Sequence, residues 1–150
     1  MERSLDIDDR IHLRPLEKDD IPSILEIDRK ITGAARSSLD SEKINYYLRN
    51  PMVCWGAESK GTLIGFMLGD IRGWEFGLSE AGWIEILGVD PALQRKGVGR
   101  ALLNAMLDSF KNRGVKTVRV VARWYDPILN FLRAEGFEHG ELLSVQKDLE

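Results

Sequence analysis

This chain is poor in the residues that mark metalloproteins, secreted proteins and membrane proteins. It has one cysteine, Cys54, so no intrachain disulfide can form. A lone cysteine in an apolar strand reads as packing rather than as a nucleophile. His12 and His139 are the only histidines, too few to assemble a Cys/His metal cluster, and no Asp-rich loop offers a carboxylate alternative; no metal is expected. No run of about twenty apolar residues is present to span a bilayer. The segment Met1-Glu2-Arg3-Ser4-Leu5-Asp6 lacks the apolar centre of a signal peptide. A cytoplasmic protein with no membrane partner is the expectation. An excess of one charge is also missing: 21 basic residues face 24 acidic ones, a net charge of −3. That balance argues against a broad nucleic-acid footprint and leaves room for one local basic pocket.

Repeats, low-complexity tracts and linkers are absent as well. The 150 residues, 43% apolar and 30% charged, suit one soluble domain over 1–150, with 1–9 as a flexible lead. Alternation predicts strands over 11–16, 52–58, 62–72, 83–89, 115–122 and 142–149, the second and third forming an antiparallel hairpin around the turn at 59–61. Helical spacing predicts helices from Asp19-Asp20 to about Lys30, over 38–50, over 97–113, and from about Asp126 to Glu135. Pro51 stops the second, and Gly136 caps the last. The order is β, α, α, three strands, α, β, α, β. The unit 83–89, 97–113, 115–122 is a right-handed crossover, so its two strands run parallel.

The densest chemistry lies at Gln94-Arg95-Lys96-Gly97-Val98-Gly99-Arg100, between an apolar strand and a helix. Glycines at a helix start let backbone N–H groups converge on one space. Those amides lack partners within the helix, and the helix dipole adds positive potential. The result is a cradle for a phosphate or pyrophosphate, with Lys96 and the arginines beside it. A Walker A loop is ruled out, because Lys96 precedes the glycines and no Ser or Thr follows them. A dinucleotide fingerprint fails too: Leu102 stands in place of its third glycine, and the region about twenty residues on offers Arg119 and Val120 rather than an acid.

A third pattern fits, Val89-Asp90-Pro91 followed by Gln94-Arg95-Lys96-Gly97-Val98-Gly99 after an apolar strand. It resembles the acyl-CoA-binding core of the GNAT superfamily of N-acetyltransferases. Ile11-His12-Leu13-Arg14-Pro15 with Asp19-Asp20 is similar to that family's first strand and helix start. Asn130-Phe131-Leu132-Arg133-Ala134-Glu135-Gly136-Phe137 is similar to its late helix. The resemblance implies an α/β (α+β) fold: a mixed, largely antiparallel sheet of about six to seven strands with a splayed parallel pair, flanked by about four helices. It implies acetyl-CoA as co-substrate. The backbone of Leu87, Gly88 and Val89 would meet its pantetheine arm. The amides of Arg95, Lys96, Gly97, Val98, Gly99 and Arg100, next to Gln94, would meet its phosphates.

Acyl transfer to an amine requires a base, because an ammonium has no lone pair. Glu85 is the candidate. Alternation puts it on one face with Trp83, Leu87 and Val89, where burial would raise its pKa; an arginine-paired or solvated carboxylate is the other reading. Many members of the family carry a tyrosine where this chain has Leu132, which cannot protonate a leaving thiolate, and Tyr125 replaces a usual asparagine. Tyr125 is a candidate donor, or else an aromatic packed on the helix start. Arg36, Trp74 and Glu75 are candidates for the acceptor pocket, where acidic and aromatic groups can hold a cation. The expected activity is direct attack of a primary amine, on a small molecule or peptide, upon acetyl-CoA. The alternative is a non-catalytic CoA sensor on the same scaffold. Exposed edges of such a sheet would permit a homodimer.

Overall fold

The computed structural model describes residues 11–33 and 39–149; the expected lead at 1–9 lies outside them. By contacts the chain divides between Val120 and Val121 into two compact units. The first carries a five-stranded mixed sheet, β1 (His12–Pro15), β2 (Cys54–Ser59), β3 (Thr62–Arg72), β4 (Ala81–Val89) and β5 (Val118–Val120), in that spatial order. The first four strands pair antiparallel, and β4 with β5 pair parallel. Its helices are α1 (Ile21–Thr32), α2 (Ser41–Leu48) and α3 (Val98–Asn112). The second unit carries α4 (Ile128–Ala134).

Two apolar layers cover the sheet. On one face Ile21, Ile24 and Ile27 of α1 and Ile44 of α2 pack with Leu63, Phe66 and Leu68 of β3. Asp40 starts α2 by accepting the Lys43 N–H at 2.9 Å. On the opposite face α3 buries Val98, Leu102, Leu103, Met106 and Phe110. Three glycines let that helix lie close to the strands. A Cβ on Gly65 would stand 3.1 Å from Val98 and Leu102, one on Gly69 would stand 3.2 Å from Met106, and one on Gly82 would stand 2.6 Å from the Phe110 ring.

The sheet has fewer strands than the sequence pattern implies. The strand expected over 115–122 is cut to Val118–Val120 because its first residues close α3 instead. Gly114, at φ 81°, donates to Lys111 O, and Val115 N–H donates to Phe110 O at 3.0 Å, a Schellman ending with Val115 and Phe110 both buried. The alternating segment 142–149 forms no ladder. Alternation sets which faces a strand would show but supplies no partner edge, and among the described residues the second unit contains no strand to pair with. Leu143, Val145 and Leu149 are exposed there.

Candidate active site

Strand β4 delivers the site. It pairs with β3 as far as Val89 against Gly65, but with β5 only through Gly82, Trp83 and Ile84. Among the described residues no strand of the first unit pairs with β4 on that side beyond Ile84. The Asp90 N–H donates to Ile64 O of β3 at 2.9 Å. By two-residue alternation Gly88 and Ile86 also face β3, whereas Leu87 and Val89 turn their backbone groups to the β5 side. The Val89 carbonyl there accepts from Gln94 Nε2 at 3.0 Å. The expected parallel pair is present, three residues long, and Leu87 and Val89 lie beyond its last rung.

The chain then enters the glycine loop. The Asp90 carboxylate accepts Ala92 N–H at 3.0 Å and pairs with Lys30 Nζ at 3.0 Å. The backbone bond, then Lys30, holds its carboxyl below the usual carboxylate range. A short 3-10 turn, Pro91–Leu93, leads to Gln94. Arg95 and Gly97 are both left-handed, at φ 66° and 92°, and Gly97 is the N-cap of α3. Left-handed residues in such a turn make successive N–H groups converge. The first amides of α3, at Val98 and Gly99, have no acceptor inside the helix. Gly97, Arg95 and Arg100 are exposed while Val98 is buried, so the loop is anchored beneath and open above. That geometry fits a diphosphate.

The face of the sheet under α2 holds the ionisable groups. Between the pairs Leu68–Ile86 and Gly69–Ile84, β4 has one extra residue, Glu85. The bulge breaks the alternation assumed from sequence. Trp83 and Glu85 do share the α2 side, but Leu87 and Val89, opposite Met67 and Gly65, fall on the α3 side. Glu85 is paired with Arg72 Nη2 and accepts from the Tyr47 hydroxyl at 3.5 Å. Burial, then the Glu85 charge, pushes the Tyr47 phenol up, so it is a protonated donor at neutral pH. Arg72 Nε also lies 3.5 Å from Oδ2 of the buried Asp70, and its guanidinium sits 5.0 Å from the Trp83 ring centroid. Arg49 reaches the same Asp70 oxygen at 3.5 Å. Tyr47, Asp70 and Arg72 were missed from sequence; the available signal was an Asp-x-Arg step ending an otherwise apolar strand.

Trp74 is exposed at φ 64°, with Phe76 at 57° in the short turn Glu75–Gly77, unusual conformations for aromatic residues. Glu75 opens that turn, and Arg36 lies outside the described residues. Tyr125 belongs to the second unit, exposed and edge-on to Trp124 at 5.4 Å. Cys54 is buried, its thiol pushed up to about 11 by burial, as befits packing. Among the described residues no group of three or more His, Cys, Asp or Glu side chains could hold a metal ion. No helix among the described residues is long and apolar enough to cross a membrane.

The model of the acetyltransferase (GNAT) family matches residues 21–137. The chain is a member of the GNAT family. Solved structures share the fold at low identity. An aminoglycoside acetyltransferase from an uncultured soil metagenomic sample, solved with sisomicin, is 22% identical with a TM-score of 0.73, covering 96% of this chain and 99% of its own. Aminoglycoside N-acetyltransferase AAC(6')-Iy, solved with CoA, is 19% identical with a TM-score of 0.75, covering 92% and 94%. The ribosomal-protein-alanine N-acetyltransferase of Brucella melitensis biovar Abortus 2308 is 18% identical with a TM-score of 0.71, covering 93% and 99%. Leu132, expected at the family's tyrosine position, has its side chain packed away. It is buried and accepts the Phe137 N–H at 2.9 Å in the Schellman ending of α4, where Gly136 is left-handed at φ 94°.

Proposed function

We propose that this GNAT member transfers an acetyl group from acetyl-CoA to a primary amine within a ternary complex. One observation carries the reading: the β5 side of β4 beyond Ile84 and the left-handed turn at Arg95 and Gly97 are consecutive in the chain, so one extended cofactor can use both. The amides of 95–99 hold the diphosphate, with Lys96 and Arg95 available to the further phosphate. Leu87 and Val89 offer backbone hydrogen bonds to the pantetheine amides, as an added strand would.

Glu85 is the base in this reading. It takes a proton from the acceptor's ammonium, directly or through water. The neutral nitrogen then attacks the thioester carbonyl carbon. The C–N bond forms, the C–S bond breaks, and the nitrogen sheds its second proton to solvent. With Leu132 unable to donate, water protonates the thiolate, which a thiol pKa of about 8.5 permits. The bulge that carries Glu85 seats its carboxylate on the α2 face while the adjoining backbone opens to the cofactor.

Acetyl-CoA should raise the melting temperature where ATP and NAD do not, since a ligand that binds only the folded state stabilises it. Release of free thiol against a panel of amines tests turnover. The leucine at position 132 favours a second reading, a CoA-binding sensor. Thermal stabilisation without thiol release for any amine would select it.

A further inference from the structure

We propose that Arg72 occupies, in the resting protein, the seat an acceptor's ammonium takes at Glu85, and that the site therefore prefers singly charged amines to polycations. This rests on the acyl-transfer reading above, with Glu85 receiving the amine.

Among the described residues the ion pairs of this cluster bring together two charges of each sign. Two carboxylates, Asp70 and Glu85, face two guanidinium groups, Arg49 and Arg72. Asp70 is buried, with its side chain 6% exposed, and one of its oxygens accepts the Ile71 N–H at 2.9 Å. Burial and these contacts leave it little surface to offer a ligand. Glu85, with its side chain 22% exposed, is the one carboxylate of the four-residue cluster that a ligand can meet. Its two oxygens are already engaged, one by Arg72 and the other by Tyr47. An ammonium that takes the oxygen held by Arg72 displaces Nη2 from it.

Arg72 can yield that place without leaving. Its Nε remains beside Asp70, and its guanidinium carbon remains over the Trp83 ring. The exchange then puts three cations against two carboxylates. A like charge nearby disfavours the protonated amine, so the crowding favours loss of the proton that must leave before attack. For a monocation the balance returns once the proton has passed through Glu85 to solvent, which leaves a neutral amine beside the two original ion pairs. A polycation brings further charges that find no spare carboxylate in the cluster and meet Arg72 and Arg49 instead.

The test is a comparison of kcat/KM at saturating acetyl-CoA. Substrates are a monoamine and a peptide N-terminus on one side, spermidine and an aminoglycoside on the other. The native protein should favour the monocations by at least tenfold. Arg72→Gln should narrow or invert that ratio by lowering KM for the polycations, with acetyl-CoA affinity by calorimetry unchanged. Arg72→Lys, which keeps the charge, should keep the preference. A native protein that prefers polycations overturns the proposal without needing any variant. So does a folded Arg72→Gln protein with the native ratio. If acetyl-CoA binds and amines are acetylated, either result condemns this inference alone. Absence of binding and turnover overturns the acyl-transfer reading and this inference with it.

Discussion

Alanine at Gly97 and alanine at Gly99 should move stability in opposite directions and cofactor affinity in the same direction. Gly97 is left-handed at φ 92°, a conformation that costs an L-residue about 1–2 kcal/mol. Gly99 lies inside α3 and is not among the positive-φ glycines. Alanine there removes glycine's helical penalty, worth up to about 1 kcal/mol. Urea denaturation should therefore show Gly97→Ala less stable and Gly99→Ala equal to or more stable than the native protein. A domain stability of about 5–15 kcal/mol leaves both folded. If the cradle holds a diphosphate, each new methyl group occupies space beside amides that the anion must approach. The loss of even one charge-assisted hydrogen bond, about 1.5–3 kcal/mol, weakens binding roughly ten- to a hundredfold. Calorimetry with acetyl-CoA reads this directly. A Gly99→Ala protein, fully folded, that binds the thioester as tightly as the native chain would refute the cradle.

Three other outcomes are expected. Glu85→Gln should cut kcat by about a hundredfold or more, the usual worth of a positioned base, with acetyl-CoA affinity retained; an unchanged rate and pH profile would remove Glu85 from catalysis. Gly82→Ala should destabilise the fold by about 1–3 kcal/mol, because the fully buried Phe110 ring lies 2.6 Å from the new Cβ; an unshifted urea midpoint would contradict that packing. Asp20 accepts from Arg14 Nη1 and Nη2, both at 2.8 Å, and this pairing holds its carboxyl below the usual carboxylate range. A lowered folded pKa gives stability that is whole above the unfolded value of about 3.9 and lost as pH falls through the folded one. Asp20→Asn should cost about 2 kcal/mol at pH 7 and flatten the acid limb below about pH 5. Parallel native and variant stability curves between pH 5 and pH 3 would count against it.

Much of this architecture was legible because local chemistry and tertiary packing agree. The helical spacing of Leu103, Met106 and Phe110 is the buried face of α3, and the hairpin of β2 and β3 lies where its turn residues put it. Legibility failed where one residue serves two structures. Val115 is β-branched and suits a strand, yet its N–H closes the preceding helix. Glu85 sits in a bulge, and an inserted residue leaves no mark in an alternating pattern, so the faces of Leu87 and Val89 were reversed. Segment 142–149 has the right alternation, yet it forms no ladder, since alternation alone supplies no partner strand. At the candidate site the glycine loop announced itself through composition. The partners of Glu85 did not, because Tyr47 and Arg72 reach it from elements far apart in the chain, a juxtaposition that only the pairing of β3 with β4 and the seating of α2 create.

The glycine track beneath α3 has a consequence for how this protein can change. Gly65, Gly69 and Gly82 seat the helix along its length, from Val98 to Phe110. A rod bedded at three points cannot rock, so its leading end, where the Arg95–Gly97 turn begins, is held at a set height above the strands. Any bulkier residue under the far end would act as a wedge and tilt the near end. If the loop holds acetyl-CoA as proposed, that grip is tied to packing at the far end of the helix, and variants that loosen it should arise well away from the loop itself.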